Sequence, residues 1–571
     1  RLTQACEQHP LDGISNVSPP SHGSGASPMI NSREGHAAGS APSGKVEGAP
    51  ARAAAPADPQ ASTAEGAAPY RAAAPPGRGA EGEQRRPGQQ GTAAVAQALR
   101  SSATPITDEE VRRLGAGGEA EAVAGASPCL DAVMEHIGSR RWVLMGEATH
   151  GSHEFYALRA ALTRRLVSER GFRVIAVEGA WHECFRVNRF LRSSRMDDNP
   201  GTFPSDDETL EEAMGGFVDF PGWVWRNEEM RRLLEWISAF NASVEEPVRF
   251  YGLDLQGSLR SAAEDVVGYA ERLDPDFAAE LRAELRPFLT SASSLELGLS
   301  LAQGELQPGL EGPGPNRVRL QRRLEHLLAT MQRRNRDDFA FLCPVEEALS
   351  AEQNLDVLLS GQEYYAKHHT DGGVTWNLRD QHMVSTVMRL LEHLEVHSAA
   401  PPGAPPPGIV VWAHNSHIGD ARATDRGRSG GQWNLGHMVR ETFGMDVTYL
   451  LGLTTAGGEV YAAPEWGQPG QRSPLRPPTE GSWEAALREG TLALRDERQD
   501  GSVAGLFWPC GGDAAAARWP EARATTKSHR LVGVVYRPEQ ERAVHMSEAE
   551  LCNMYDGVLH IDTTTPIEPM P

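Results

Sequence analysis

The sequence predicts an α/β protein whose mainly parallel sheet is flanked by helices, and three observations support this class. First, short apolar runs typical of strands, such as 142–145 and 172–177, alternate with amphipathic helical patterns. Second, the strands end on polar side chains, as they do where parallel sheets present functional groups. Third, residues 261–396 have helical patterns almost throughout. We therefore expect a helical insertion there that forms a lid over the sheet.

Composition divides the chain into a tail and one large domain. Ala, Gly, Pro, Ser and Gln dominate residues 1–99, where apolar residues are too sparse to offset the entropy cost of ordering. We expect 1–99 to be a disordered, low-complexity tail and 100–571 to form the α/β domain. A cytoplasmic protein is the expectation, and the Ala-, Ser- and Arg-containing tail leaves organellar targeting open.

Charge and hydropathy restrict the partners. The chain has 77 Asp and Glu against 55 Lys and Arg, which gives a formal net charge of -22. Nucleic acids and anionic membranes attract basic surfaces, so neither is expected as a partner. No apolar run in the sequence approaches membrane-spanning length. We therefore expect a soluble protein that binds neither.

The first strand, 142–145, ends on a motif that combines a carboxylate with an imidazole. Residues 146–151 read Gly-Glu-Ala-Thr-His-Gly, which sets Glu147 and His150 between two glycines. A strand's carboxyl end is where α/β enzymes present catalytic side chains. A helical pattern follows, and Arg159 on it is a candidate source of fixed positive charge for a developing oxyanion.

Later strands also end on residues that can carry chemistry. In chain order these residues are Glu178, Asp254, His414 and His417. The carboxyl ends of neighbouring parallel strands lie side by side, so residues distant in sequence converge there. A neutral imidazole at such an edge can take a proton from water, while a carboxylate orients it and stabilises the imidazolium. We expect His150 to be the base and either Glu147 or Glu178 to orient it.

Mixed aromatic and polar clusters provide the remaining candidates. Trp225 lies in a Trp-Val-Trp-Arg-Asn segment that reads equally as a pocket wall or as a core anchor for the next helix. On the helical insertion, the segments around Tyr364 and 376–380 are candidates for lining a cleft beneath the lid. The predicted substrate-binding residues are Trp225, Arg226, Asp254, Tyr364 and Asn415.

Metal ligation is the main alternative. His150 with His153, and His414 with His417, form two HxxH pairs near carboxylates, a pattern that can bind zinc or manganese. The spacing puts both imidazoles on one face only in a helix, whereas these pairs straddle strand ends. We therefore predict no metal cofactor, and a metal-dependent hydrolase or protease stays as an alternative. A non-enzymatic module that binds haem or another small ligand through His414 and His417 is the other.

Several segments resemble the erythromycin esterase family. They are 146–159, 177–178, 220–228, 251–254, 376–380, 412–420 and 434–436, and they occur in order over about 106–569. Where the family tends to have Ser-His-Tyr, this chain has Val544-His545-Met546.

The resemblance implies hydrolysis of an ester or lactone bond in a bulky small molecule, macrolides and hence macrolide resistance included. It also implies that His150 activates water without a covalent enzyme intermediate. Residues that match the family's cleft are Glu147, Arg159, Glu178, His414 and His417. The last two are expected near the substrate carbonyl or the leaving group.

Overall fold

The structure, a computed structural model, describes residues 87–116, 127–193, 202–219, 221–304, 316–368, 372–397, 408–499, 501–511 and 517–571. The strands in these ranges are β1 (Thr104–Thr107), β2 (Trp142–Met145), β3 (Phe172–Ala180), β4 (Arg249–Asp254), β5 (Gly408–Trp412), β6 (Thr448–Ala462), β7 (Gln471–Pro474), β8 (Val503–Trp508), β9 (Lys527–Arg530), β10 (Met546–Ala549) and β11 (Gly557–Thr564).

The main sheet has the strand order β1-β8-β11-β6-β2-β5-β3-β4, with β7 paired to the far part of β6. All pairs from β11 to β4 are parallel. Antiparallel pairing is confined to β8, β1 and β7 at its margins. Strands β9 and β10 form a separate antiparallel pair. The predicted α/β class with a mainly parallel sheet is confirmed.

Helices cover the sheet. They are α1 (Pro87–Ser102), α2 (Asp108–Ala116), α3 (Pro128–Ile137), α4 (His153–Arg170), α5 (Trp181–Ser193), α6 (Leu210–Met214), α7 (Glu228–Ser243), α8 (Leu259–Glu271), α9 (Pro275–Glu284), α10 (Arg286–Thr290), α11 (Ser294–Gln303), α12 (Asn316–Asp337), α13 (Val345–Lys367), α14 (Gly372–His397), α15 (Asn415–Ile418), α16 (Asp425–Arg428), α17 (Leu435–Phe443), α18 (Trp483–Arg498), α19 (Pro520–Arg523), α20 (Glu541–Val544) and α21 (Leu551–Met554).

Both faces of the parallel strands are buried, which explains their uninterrupted apolar runs. Along β2, Leu144 packs into one core cluster, whereas Val143 and Met145 pack into the other. All four residues of β2 are buried. The two cores fix the register of the sheet, because a slip by one residue would exchange the faces of every side chain.

The predicted helical insertion is present between β4 and β5 as helices α8 to α14. Helix α13 packs against α8, α11, α12 and α14, and α14 also packs against β4. The start of α14 reaches the carboxyl edge of the sheet, where it contributes side chains to the site described below.

The N-terminal boundary differs from the predicted one. Helix α1 begins at Pro87, inside the stretch predicted as tail, and it packs against α18 and α19. Val95, Ala98 and Leu99 are buried, and their spacing forms one apolar stripe. Three buried apolar side chains in a stretch rich in Ala and Gln change its composition too little to indicate a helix. Residues 1–86 of the predicted tail lie outside the described residues. Within the described ranges, no helix is long and apolar enough to cross a membrane.

Candidate active site

A cavity of about 370 Å³ lies at the carboxyl edge of the sheet, where β2, β5, β3 and β4 are neighbours. Its volume is near the lower limit of the roughly 300–1,000 Å³ typical of small-molecule sites. The polar residues from these strand ends and from α14 that line it are His150, Glu178, Asp254, Arg379, His414 and His417. We call the part of the cavity around the three histidines the histidine end.

His150 is the outermost member of a chain of hydrogen-bonded side chains that runs inward through Glu147 to Arg159. Its Nδ1 lies 2.9 Å from Glu147 Oε1, and Arg159 Nη2 donates to Glu147 Oε2 at 2.5 Å. A carboxylate only accepts, so Nδ1 carries the hydrogen, and in the neutral ring Nε2 is then the nitrogen with the lone pair. Glu147 and Arg159 are fully buried, whereas His150 lines the cavity. This tautomer presents a proton acceptor to a ligand.

Close packing explains the two glycines of the motif. A Cβ at Gly146 would lie 1.9 Å from Asn415 Oδ1, and a Cβ at Gly151 would lie 1.8 Å from the Tyr461 carbonyl oxygen. A side chain at either position would collide with these atoms. The glycines therefore allow the motif to sit tightly against the sheet edge.

His414 is a neutral neighbour of His150, with ring centroids 4.9 Å apart. Its Nδ1 lies 2.7 Å from Ser416 Oγ and 3.3 Å from the Ser416 amide, which donates to it. Its Nε2 is 3.4 Å from the Ala148 carbonyl oxygen, so Nε2 carries the hydrogen. Burial and the nearby His150 hold the pKa of His414 well below its usual value. His414 is thus already engaged as a hydrogen-bonding group.

His417 is the charged histidine of the site. Its Nδ1 lies 2.9 Å from Asp380 Oδ2, and its Nε2 lies 3.3 Å from Glu178 Oε1. Burial opposes the charge, but the two carboxylates outweigh it and raise the pKa of His417 to about 9. Nε2 is also 3.2 Å from Arg379 Nη1. Nε2 can donate to the Glu178 carboxylate or accept from Arg379, but it cannot do both. The carboxylates on both sides of the ring favour the protonated form, which donates to Glu178. Trp376 stacks on the ring at 4.5 Å.

Arg379 holds the two acidic strand ends together. Its Nη2 donates to Glu178 Oε1 at 2.7 Å, its Nε donates to Asp254 Oδ2 at 2.9 Å, and Nη2 also contacts Asp254. The second oxygen of Glu178 accepts the His414 amide at 2.7 Å. Burial alone would raise the pKa of Glu178, but His417 and Arg379 hold it well below its usual value. Glu178 is therefore ionised and saturated with donors.

The walls of the cavity are mostly apolar. The lining residues of this kind are Val224, Trp225, Trp376, Trp466, Leu531, Val534, Val535 and Val544. Trp225 is fixed by its Nε1, which donates to the Glu178 carbonyl oxygen at 3.0 Å. His545 also lines the cavity; its Nε2 accepts the Arg537 amide at 3.1 Å, and burial lowers its pKa to about 4. The walls suit an apolar ligand.

A second polar group lines the same cavity away from the histidines. Glu183 on α5 and Asp219 before the short 3-10 helix Gly222–Val224 line it, and His182 lies beside them. Burial and the neighbouring Asp219 raise the pKa of Glu183 to about 8, and burial lowers the pKa of His182 to about 4. We call these three residues, His182, Glu183 and Asp219, the acidic end.

Several predicted site residues line the cavity together. They are His150, Glu178, His414, His417, Trp225 and Asp254. Glu147 lies behind them and, of the two carboxylates considered as the partner of His150, is the one that bonds it. Arg159 faces Glu147 and lies over the rings of Tyr156 and Trp412. Its charge was expected to stabilise an oxyanion in the cavity, but it is directed to Glu147 behind the cavity.

Three predicted substrate contacts do not line the cavity. Asn415 is fully buried, and its Nδ2 donates to the Leu453 carbonyl oxygen at 2.8 Å, so it joins β5 to β6. Tyr364 is buried beneath the cavity, where its hydroxyl accepts from Gln256. Arg226 is not among the residues that line the cavity, and its carbonyl oxygen accepts the Met570 amide at 3.1 Å.

The two HxxH pairs do not converge on one point. His153 Nδ1 bonds Glu229 Oε1 at 2.7 Å, outside the cavity. His414 and His417 bond different partners, as described above. Among the described residues, the one group of three potential metal ligands within 4.8 Å is the acidic end, which does not include either pair.

Arg379, Asp380, Glu183 and Asp219 are the site residues that sequence reasoning did not single out individually. The first two belong to the 376–380 segment, and its mixed aromatic and polar character was the available signal. Glu183 occupies the first turn of a helix, where an acidic residue is ordinary, and so gave no signal.

The class of protein follows from comparison with known proteins. The chain belongs to the erythromycin esterase family, whose model matches residues 167–564. The predicted resemblance is therefore confirmed. The match begins after the 146–151 motif, but the fold brings His150 into the same cavity as the matched residues.

Individual relatives are distant. An erythromycin esterase type II of Escherichia coli is 25% identical over 170 residues, which cover 28% of this chain and 36% of that protein. A solved succinoglycan biosynthesis protein is 17% identical with a TM-score of 0.60, over 84% of this chain and 99% of that one. A solved Bacillus cereus protein is 16% identical with a TM-score of 0.60, over 84% of this chain and 99% of that one.

The structure of a mutant of the erythromycin esterase EreC, in its open conformation, is 14% identical to this chain with a TM-score of 0.50. It covers 76% of this chain and 93% of its own. At these identities the solved structures support the fold alone.

Proposed function

We propose that this protein hydrolyses an ester or lactone bond of a bulky, largely apolar small molecule with water activated by His150. The observation that carries the proposal is the Arg159–Glu147–His150 chain, in which His150 lines the cavity with Nδ1 bonded to Glu147, so that Nε2 is the proton acceptor of the neutral ring. A buried carboxylate behind an imidazole keeps the required tautomer and stabilises the imidazolium that forms during proton transfer.

The proposed reaction needs only the substrate, one water molecule and His150 as the proton carrier. His150 Nε2 takes a proton from water as the water oxygen adds to the carbonyl carbon. The bond from that carbon to the alkoxy oxygen then breaks, and the proton on Nε2 passes to the leaving alcohol. The products are a carboxylic acid and an alcohol, joined as a hydroxy acid when the substrate is a lactone.

The oxyanion formed in this step needs positive charge that is already in place. His417, with its pKa of about 9, and Arg379 both line the cavity and supply it. The N–H groups of His417 and Arg379 bond Asp380, Glu178 and Asp254, so in this proposal the two residues act through fixed positive charge. Such charge does not have to reorganise during the reaction, and removing one oxyanion-stabilising group typically costs about 10²–10³ in rate.

We propose no metal for chemistry at the histidine end. The Arg379 guanidinium already occupies the place between Glu178 and Asp254 that a bound cation would take. The HxxH histidines have protein partners as well. A metal-dependent hydrolase or a haem-binding module using these residues is therefore less well supported.

The apolar walls indicate the substrate class. Three tryptophans and the side chains of Leu531, Val534 and Val535 offer apolar contact, which favours binding by about 25 cal/mol for each Å² of apolar surface buried. Macrolide lactones, which the family name suggests, form the upper size limit of the proposed class.

The test is hydrolysis of a panel by wild type, His150→Ala and His153→Ala. The panel contains aryl acetates, aryl esters of bulky acids, simple lactones and a macrolide. We expect bulky esters or lactones to be cleaved with higher kcat/KM than acetates, and His150→Ala to lose at least about 10²-fold. His153 lies outside the cavity, so His153→Ala is the matched control and keeps its activity. Equal rates for wild type and His150→Ala would refute the proposal.

A further inference from the structure

We propose that His182, Glu183 and Asp219 bind a divalent transition-metal ion at the acidic end of the cavity. One imidazole nitrogen and two carboxylate oxygens lie within 4.8 Å of one another. This mixture of ligands suits zinc, manganese or cobalt better than magnesium or calcium, which prefer oxygen alone. The proposed site is separate from the chemistry at His150.

An unpartnered buried oxygen is the second observation. Glu183 is only 7% exposed, and its Oε1 has no hydrogen-bond partner. Asp219 Oδ2 is likewise buried without a partner. An isolated carboxylate in such surroundings is costly unless a cation or a donor compensates it. Among the described residues, neither side chain forms an ion pair, so a bound cation would remove this cost.

The surrounding backbone holds the three side chains together. Backbone groups of Val218 and Asp219 lie close enough to Glu183, and that of Ser258 close enough to Asp219, to offset part of the rise in pKa that burial causes in each carboxyl group. Gly257 packs so closely that a Cβ there would lie 3.3 Å from His182 Cε1. The start of α5, the segment before Pro221 and the turn after β4 therefore converge on this point.

The arrangement predicts what the ion would do. Glu183 and Asp219 line the cavity, so coordination positions not filled by protein face the ligand space. Asp219 precedes Pro221, Gly222 and Val224, which also line the cavity. A metal would thus join α5 to this wall and would offer a Lewis-acidic contact for an oxygen atom of the ligand.

The experiment measures metal binding directly on the full chain without an affinity tag. After removal of metals with a chelator and dialysis, Co²⁺ is titrated and its visible ligand-field absorption is recorded. Zn²⁺, Mn²⁺, Mg²⁺ and Ca²⁺ are titrated by calorimetry. We expect one Co²⁺ or Zn²⁺ per chain, with Zn²⁺ bound more tightly than Mn²⁺ and far more tightly than Mg²⁺ or Ca²⁺.

Isosteric variants locate the ion. We expect Glu183→Gln and Asp219→Asn each to weaken Co²⁺ and Zn²⁺ binding by at least about 10²-fold, because second-shell changes alone cost 10- to 100-fold. His414→Gln is the control for binding at the histidine end and is expected to keep the affinity. Urea unfolding midpoints establish that each variant is folded, and if Glu183→Gln is not, Asp219→Asn carries the test.

Three results would overturn the proposal. The first is a wild type that binds no stoichiometric Co²⁺ or Zn²⁺, which would mean that the two carboxyl groups share a proton instead. The second is binding that survives in both Glu183→Gln and Asp219→Asn. The third is binding that is lost in His414→Gln and kept in the other two variants.

Discussion

The two ends of one cavity treat buried charge in opposite ways. At the histidine end, Arg379 bonds both Glu178 and Asp254, and His417 bonds Asp380. The buried carboxylates at this end therefore have cationic partners supplied by the protein, and the pKa of Glu178 is held well below its usual value.

The acidic end has no such compensation among the described residues. Buried oxygens of Glu183 and Asp219 have no hydrogen-bond partner, and burial raises the pKa of Glu183 to about 8. Protein-supplied countercharge indicates a site organised in advance for charge that develops during a reaction. Missing countercharge indicates a site that needs a bound cation to balance its carboxylates.

The largest expected effect is the loss of stability when Arg379, the cation that Glu178 and Asp254 share, is replaced. Arg379→Gln leaves Glu178 and Asp254 buried without their guanidinium, and removing one partner of a buried ion pair costs about 3–5 kcal/mol. We expect the free energy of unfolding, measured by urea denaturation, to fall by about this amount. The matched change is Glu183→Gln, which replaces a buried carboxyl group that has no cationic partner among the described residues. In metal-free protein its free energy of unfolding is expected to stay unchanged or to rise, and equal losses for the two variants would break the comparison.

A second prediction concerns the charge behind the base. Glu147→Gln keeps the shape of the side chain but removes the negative charge that stabilises the His150 imidazolium. We expect kcat/KM on the best panel ester to fall by about 10²–10⁴. Asp219→Asn, assayed without metal, is the corresponding change at the acidic end and is expected to have a smaller effect. A loss below tenfold for Glu147→Gln would mean that His150 does not depend on this carboxylate.

The smallest expected effect is a shift in the pH dependence of kcat/KM. The pKa of His417 is raised from 6.5 to about 9, so its contribution to stability is complete below about pH 6.5 and is lost as the pH rises through about 9. If the charged form stabilises the oxyanion, kcat/KM falls over the same alkaline limb. Asp380→Asn removes the strongest of the interactions that raise this pKa, so we expect its alkaline limb to move to lower pH by about one unit or more. An unmoved limb in the pH–rate profile would assign the charge to Arg379 alone.

Sequence patterns were sufficient for the sheet and for the strand-end residues. Apolar runs located β2, β3 and β5, and parallel topology then brought His150, Glu178 and His414 to one edge. These inferences depend only on periodicity and chain direction. They do not depend on where a side chain points.

The unpredicted features all depend on side-chain direction or on distant contacts. Sequence reasoning left Glu147 and Glu178 as alternative partners of His150, and the direction of the side chains decides for Glu147. Arg379 comes from the helical insertion, and nothing local indicates that it would reach Asp254. Asn415 is a polar residue at a strand end, which favoured a role in binding, but its side chain packs tightly against Gly146 and lies in the sheet.

The measurement that tests the central claim most directly compares His150→Gln with Ser416→Ala. Ser416 Oγ lies 2.7 Å from His414 Nδ1 and lines the cavity, so a serine nucleophile with His414 as its base is the competing mechanism. Both variants are assayed for kcat/KM on the same aryl ester, and the intact mass of wild type is recorded during turnover.

Water activated by His150 predicts a loss of at least about 10²-fold in His150→Gln and no acyl adduct on wild type. It predicts that Ser416→Ala loses no more than about tenfold, the upper range for one neutral hydrogen bond. A near-complete loss of activity in Ser416→Ala, together with an acylated enzyme in wild type, would contradict the account.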